Sequence, residues 1–238
     1  MSYQELVVNG CSYMEAYTAG QGQADLAERL GIPAATSLAI GGSANTRIIR
    51  TTLKHSYQAN HPTFYVLGMT FLSRLEIPIL ERQSEFEGRW TNPQNQQFSK
   101  DWQHGWTQTE TDQFVDIKLK SEVFSILDRT EDLMYKILSM IGDLRSRGHG
   151  VLVYQQADNL YDPFIDNPRL DLFKTTKNIV GGYAWKAIGW QHDQGVQSMD
   201  YGSSPLYEVP ENMKHRKPGH HKVLNNYLAD YVNSNQLL

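Results

Sequence analysis

Serine and histidine side chains stand near the two ends of this sequence, each beside a predicted boundary of a regular element. Apolar residues 6–8 run into Asn9-Gly10-Cys11-Ser12, the pattern of a buried strand that ends in a turn of small residues. Three histidines precede or open the last helical pattern: His215, His220 and His221. Open α/β sheets carry their chemistry at the carboxyl ends of strands. At such an edge, Ser12 and a histidine are able to act as nucleophile and general base. Considered alone, Ser12 is equally well explained as a helix cap.

The elements that must position these side chains follow from hydrophobic periodicity. Strands are predicted at 6–8, 35–40, 63–67 and 151–154, and helices at 24–30, 46–57, 116–147 and 219–232. Residues 76–112 lose all periodicity and are interpreted as an inserted hairpin or lid, while 158–210 are irregular. This order predicts a single α/β domain over residues 1–238, a three-layer α/β/α sandwich with a central parallel sheet.

Glycines follow two further strands. Gly41-Gly42 comes after the second predicted strand, and Gly68 ends the third. A glycine lets the backbone turn tightly and leaves an N–H group free to face a cleft, and two such donors form an oxyanion hole. The alternative is an ordinary strand-to-helix turn in which Ser43 or Asn45 caps the next helix.

Taken together, the order of these sites resembles that of the SGNH (GDSL-like) hydrolases. That family has a Gly-x-Ser block after strand one, glycine blocks after strands two and three, and a histidine before the last helix. The matching sites span residues 10 to 221, and the cysteine-containing first block is similar to that of divergent members from phages and marine bacteria. The resemblance implies hydrolysis of a carboxylic ester, of esterase, lipase or carbohydrate O-deacetylase type, with no cofactor.

The resemblance also implies roles for the residues at the strand ends. Ser12 is the nucleophile, and its N–H group donates to the oxyanion beside the N–H group of Gly42. Thr70 stands where the family has an asparagine donor, so its hydroxyl or the Asn45 amide takes that place. Tyr13 and Arg74 are expected to contact substrate.

In the histidine block the resemblance makes His215 the general base. The family's aspartate, three residues earlier, is replaced by Asn212, which can orient an imidazole but cannot stabilise its charged form. Glu211, one residue out of register, or a backbone carbonyl is the alternative partner, and His220 or His221 is the base if the alignment is displaced.

A metal site on the three histidines is the weaker interpretation, because no Asp or Glu lies at helical spacing to support it.

Composition limits the partners. A net charge of −4 argues against nucleic acid, and the single cysteine excludes an intrachain disulfide. No leader pattern or apolar run of membrane-spanning length is present, so a cytoplasmic location is expected, or a virion or host cytoplasm for a viral protein.

The expected partners are a small-molecule or carbohydrate ester and a homo-oligomer or larger assembly. The alternatives are a non-catalytic SGNH-like domain with a binding or viral-assembly role and, last, a flavodoxin-like nucleotide binder that lacks a phosphate loop.

Overall fold

Strands and helices alternate along the chain, as a computed structural model shows for residues 2–19, 21–41, 43–70, 77–78, 90–91, 126–155, 167–183 and 218–238. The strands in these ranges are β1 (Glu5–Gly10), β2 (Ala35–Ser37), β3 (Thr63–Met69), β4 (Ile77–Pro78), β5 (Trp90–Thr91), β6 (Gly150–Gln155) and β7 (Ile179–Tyr183). The α-helices are α1 (Ser12–Ala19), α2 (Gly22–Leu30), α3 (Asn45–Gln58), α4 (Ile126–Ser146), α5 (Asp171–Thr175) and α6 (Pro218–Ser234).

The central sheet is parallel throughout, in the order β2-β1-β3-β6-β7. Strands β3 and β6 are buried along their whole length, as expected for parallel strands covered by helices on both faces. The predicted α/β sandwich is therefore confirmed. Strands β4 and β5 form a separate antiparallel pair inside the predicted insertion at 76–112.

Alternating side chains of the strands divide the interior into two apolar cores. On one face, Leu6, Val8, Phe64 and Leu152 pack against α1, α2 and α6. On the other, Val7, Tyr65, Leu67 and Val153 pack against α3, α4 and α5. Among the described ranges, no helix combines the length and the apolar composition that a bilayer crossing requires.

Three elements were not predicted from the sequence. No helix was assigned to residues 13–19, where burial of Met14 and Tyr17 stabilises helix α1. Helix α5 lies in the segment 158–210 that was expected to be irregular. Strand β7 lies in the segment expected to be irregular, because its Gly181-Gly182 pair lowers strand propensity. Pairing with β6 stabilises this strand in place of intrinsic propensity. Asn178, just before β7, donates from Nδ2 to the Val151 carbonyl (2.8 Å), and its own backbone carbonyl accepts from the Val153 N–H (2.8 Å). Residues 116–125 of the predicted long helix lie outside the described residues.

Candidate active site

The carboxyl ends of β1 and β3 lie side by side. Gly10 pairs with Gly68 in the parallel register, so Ser12 and Thr70 each stand two residues beyond that pair. Neighbouring strands are about 4.8 Å apart, and Ser12 is the first residue of α1. The structure thus brings the backbone of Ser12 and the residue Thr70 to one edge of the sheet.

Close packing at Gly10 determines how the chain turns from β1 into α1. A Cβ atom on Gly10 would lie 2.3 Å from Met14 Cγ and 3.0 Å from the Gly68 carbonyl oxygen. The Met14 N–H donates to the Cys11 carbonyl (2.9 Å), which closes the first turn of the helix. Only glycine allows α1 to start this close to the strand, and Ser12 takes its place at the helix N-terminus, where backbone N–H groups lack intrahelical partners.

A buried amide side chain fastens this turn to α3. Asn9 Nδ2 lies within hydrogen-bonding distance of the Ile48 carbonyl (3.0 Å) and the hydroxyls of Thr51 (2.8 Å) and Thr52 (2.9 Å). Its Oδ1 accepts from the Gly10 N–H at 2.9 Å. Asn9 was interpreted from sequence only as the end of a strand. The sequence signal for this contact was the pair of hydroxyl residues Thr51 and Thr52 in the predicted helix.

The end of β3 is bound to the start of α3 by a reciprocal pair. Asn45 Nδ2 donates to the Thr70 carbonyl (2.9 Å), and the Thr70 N–H donates to Asn45 Oδ1 (2.7 Å). Thr70 is fully buried, and its hydroxyl has no hydrogen-bond partner within the described part of the chain. No described residue engages the hydroxyl that was predicted to be an oxyanion donor, and Asn45 holds the Thr70 backbone.

The loop between β2 and α3 is tethered to the same strand ends. Ile40 N–H donates to the Gly10 carbonyl (3.4 Å), and Ser43 Oγ donates to the Ile40 carbonyl (2.6 Å). Arg47, buried in the first turn of α3, donates to Ser43 Oγ (2.9 Å) and to the Leu38 carbonyl (3.3 Å). These contacts position Ile40 and Ser43, between which Gly42 stands in the sequence; Gly42 itself lies outside the described residues.

Helix α6 packs against α1 and α2 around a buried tyrosine. The Tyr17 hydroxyl lies 2.7 Å from both the Gly22 carbonyl oxygen and Asn225 Oδ1. The His221 ring meets the Tyr17 ring edge-on, with centroids 5.0 Å apart. Burial raises the pKa of Tyr17 well above its usual value, so the phenol stays neutral. The first turn of α6 is thus fixed on the helix that Ser12 opens.

The remaining predicted site residues are not all described. Gly42, Arg74, Glu211, Asn212 and His215 lie outside the described residues, and for Ser12 and Tyr13 only the backbone is described. His215 precedes the first residue of α6, Pro218, by three positions. Within the described ranges, no group of three or more His, Cys, Asp or Glu side chains is arranged to hold a metal ion.

One polar residue at this edge was missed by the sequence analysis. Gln155, the last residue of β6, pairs with Met69 in the register and is 1% exposed. Neither Oε1 nor Nε2 has a hydrogen-bond partner in the part of the chain that the structure describes. A glutamine that ends the apolar run Val151–Tyr154 was the signal in the sequence.

Comparison with solved structures identifies the fold. The esterase EstA from Pseudoalteromonas sp. superposes with a TM-score of 0.51 at 9% identity, covering 97% of each chain. A protein from Desulfitobacterium hafniense assigned to the G-D-S-L family of lipolytic proteins gives 0.49 at 10% identity, over 96% of this chain and 99% of that one. A Bacteroides fragilis protein assigned as an acylhydrolase gives 0.49 at 13% identity, over 97% and 87%. The chain therefore has an α/β fold shared with the esterase EstA.

No family model and no curated protein matches the sequence. At such low sequence identity, the structural similarity shows the fold and nothing about activity. Chemistry has to be argued from the residues at the strand ends.

Proposed function

We propose that this protein is a serine hydrolase acting on carboxylic esters, with Ser12 as nucleophile and His215 as general base. The observation that carries the proposal is the arrangement of the β1 and β3 ends. The Gly10–Gly68 register and the Asn45–Thr70 pair bring the start of α1 beside a buried hydroxyl that has no partner among the described residues. A nucleophile and an oxyanion donor need this adjacency.

The oxyanion hole is proposed to consist of the N–H groups of Ser12 and Gly42 together with Thr70 Oγ1. A donor is effective when it is held in place before charge develops on the substrate oxygen. The two hydrogen bonds between Asn45 and Thr70 hold the Thr70 backbone, and the contacts of Leu38 and Ser43 with Arg47 support the loop that contains Gly42. Asn45 accordingly acts as a positioning residue for Thr70, since its carboxamide is engaged with the Thr70 backbone.

The general base is proposed to be His215, with Asn212 or Glu211 orienting its ring. Support comes from α6, which follows His215 in the chain and whose first turn is fixed against α1, the helix that Ser12 opens. His221 is buried with its ring against Tyr17. That packing suits a helix contact and favours His215 over His221 as the base.

The reaction follows from these roles. Ser12 Oγ attacks the ester carbonyl carbon while His215 accepts the hydroxyl proton, and the carbonyl oxygen takes up negative charge in the oxyanion hole. The C–O bond to the alcohol then breaks, and the alcohol leaves with the proton held by His215. A water molecule, deprotonated by His215, attacks the acyl-serine, and the departing Ser12 regains the proton as the carboxylic acid is released.

Labelling with a fluorophosphonate, combined with hydrolysis of p-nitrophenyl acetate, tests the proposal. Wild-type protein is expected to form an adduct on Ser12 and to turn over the ester, and Ser12→Ala is expected to do neither. Ser146→Ala, at the exposed end of α4, is the matched control and should behave as wild type. Folded protein that neither labels nor hydrolyses would favour the non-catalytic alternative, a binding or assembly domain.

A further inference from the structure

Hydrogen bonds connect the turn before Ser12 to the first turns of α3. Among the three contacts of Asn9 Nδ2, the one with Thr51 Oγ1 is the shortest, at 2.8 Å. The Thr51 hydroxyl in turn donates to the Arg47 carbonyl at 2.9 Å, one turn earlier in the helix. The end of β1 is therefore linked through Thr51 to the residue that supports the loop before α3.

A second set of hydrogen bonds leads from Arg47 back to the end of β1. The Arg47 guanidinium donates to Ser43 Oγ (2.9 Å), and Ser43 Oγ donates to the Ile40 carbonyl (2.6 Å). The Ile40 N–H donates to the Gly10 carbonyl (3.4 Å), and the Gly10 N–H donates to Asn9 Oδ1 (2.9 Å). Together these contacts form a closed hydrogen-bond ring, whose members are Asn9, Gly10, Ile40, Ser43, Arg47 and Thr51.

The two proposed N–H donors of the oxyanion hole belong to the chain segments that this ring joins. Ser12 follows Gly10 by two residues, and Gly42 stands between Ile40 and Ser43 in the sequence. The side chains at positions 9, 43, 47 and 51 are all buried. A buried polar network whose members bond to one another holds the surrounding backbone rigid, which is what the donors of an oxyanion hole require.

We infer that the hydrogen-bond ring positions the Ser12 N–H group relative to the Gly42 N–H group, so that both donors face one substrate oxygen. This inference rests on the proposed function. Thr51 and Ser43 are accordingly positioning residues, which act through the backbone of the two segments without touching the substrate. A misplacement of about 1 Å lowers the rate of a catalysed reaction by up to about 10²-fold. Opening the ring should therefore affect kcat rather than KM.

The test opens the ring at one hydroxyl. Thr51→Val keeps the shape of the side chain, and kcat for p-nitrophenyl acetate is expected to fall roughly tenfold while KM stays within about twofold of wild type. Thr51→Ser keeps the hydroxyl and should retain most of the rate. Thr52→Val is the matched control, because its hydroxyl also lies 2.9 Å from Asn9 Nδ2 but is not a member of the ring. It should show a comparable decrease in Tm, with kcat within about twofold of wild type.

A break at the opposite side of the ring provides a second variant, which also serves if Thr51→Val does not fold. Ser43→Ala removes the hydroxyl between Arg47 and Ile40, so it should cause the same loss of kcat as Thr51→Val. The double variant should lose little more than either single variant, because a ring that is already open is not opened again. The inference is overturned if the two losses add as free energies, if Thr52→Val slows the reaction equally, or if KM changes instead of kcat.

Amide hydrogen exchange gives a readout that does not depend on hydrolysis. The N–H groups of Ile40 and Ser43 donate to the Gly10 and Ile40 carbonyls, and both should exchange faster in Thr51→Val than in Thr52→Val. A wild type that cleaves the ester, with kcat and exchange unchanged in Thr51→Val, would refute the role of the ring and leave the proposed function standing. Faster exchange in Thr51→Val, in a protein whose wild type neither cleaves the ester nor reacts with a fluorophosphonate, would refute the proposed function and leave the link between the two segments standing.

Discussion

Asn45 and Thr70 exchange two hydrogen bonds across the carboxyl edge of the sheet, at 2.9 and 2.7 Å. The first residue of α3 is thereby joined to the residue that follows β3. The pair uses only the backbone of Thr70, and no described residue bonds to the buried Thr70 hydroxyl. Electrostatic stabilisation of an oxyanion requires donors whose positions are fixed before charge develops.

Removal of the Thr70 hydroxyl should therefore slow the reaction without unfolding the protein. Thr70→Val keeps the shape of the side chain, and kcat for p-nitrophenyl acetate is expected to fall by about 10²–10³-fold, as when other oxyanion donors are removed. The Tm should change little, because this hydroxyl has no partner among the described residues. Thr63→Val, at the opposite end of β3, is the matched control and should leave kcat unchanged. An unchanged kcat in Thr70→Val would remove Thr70 from the oxyanion hole.

Asn45→Leu should lower both stability and rate. The substitution leaves the Thr70 N–H and carbonyl buried without partners, at a cost of about 1–3 kcal/mol each, so the Tm is expected to fall by several degrees. The rate should fall because Thr70 is no longer held. In the double variant with Thr70→Val, the loss in kcat should be smaller than the sum of the single losses, expressed as free energies. Strict additivity in kcat would show that Asn45 does not act through Thr70.

The fold was largely predictable because its central strands are short apolar runs. The runs at 6–8, 63–67 and 151–154 became β1, β3 and β6. Helices α2 and α3 follow the predicted period. Strand β7 was missed since its stability comes from pairing with β6 rather than from its own residues.

The site was predictable only in part. Strand-end positions pointed to Ser12 and Thr70, because parallel strands share one carboxyl edge. The amides that organise this edge were not recognised, since their partners are distant in sequence: Asn9 contacts residues about 40 positions away, and Asn45 contacts Thr70, 25 positions away. Burial without a partner, as in Gln155, is a property of the packed structure and has no sequence pattern.

Substitution of Gly10 should disturb the turn that places Ser12. In Gly10→Ala the new Cβ would lie 2.3 Å from Met14 Cγ and 3.0 Å from the Gly68 carbonyl oxygen. Overpacking of this kind typically costs about 1–3 kcal/mol, and we expect both the Tm and the kcat to fall. Adding Met14→Ala should restore part of the kcat, because the side-chain clash is removed. Gly142→Ala, on α4 with open space around it, is the control and should be tolerated.

Stability should decrease in mild acid through His149. This ring is buried at the other end of the sheet, where Nδ1 accepts from the Thr63 N–H (3.2 Å), and burial, followed by the nearby Arg147, lowers its pKa. The unfolded chain, in which the pKa is about 6.5, then binds more protons than the folded one. The stabilisation is therefore present above that pH and is lost as the pH falls.

Urea unfolding at about pH 8 and pH 5 measures this effect, since the two values bracket the unfolded pKa. His149→Gln keeps an acceptor for Thr63 and cannot titrate, so its free energy of unfolding should fall less between the two pH values than that of wild type. Equal losses in the two proteins would show that the acid sensitivity does not come from His149.

The last prediction concerns the residue that orients the general base. His215→Ala should reduce kcat by about 10³-fold or more, as expected when a member of a serine–histidine pair is lost. If Asn212 faces the imidazole, Asn212→Asp should raise kcat roughly tenfold or more, because a carboxylate stabilises the imidazolium.

Kinetics of matched variants separate the possible partners of His215. If Asn212 is the partner, Glu211→Gln should leave kcat unchanged. If Glu211→Gln instead lowers kcat while Asn212→Asp leaves it unchanged, the partner is Glu211. If neither variant changes kcat while His215→Ala abolishes it, a Ser-His dyad suffices. His220→Ala serves as the control within the same block. Should His215→Ala retain full activity, the general base has to be sought at His220 or His221. The burial of His221 against Tyr17 makes us expect His215 as the base.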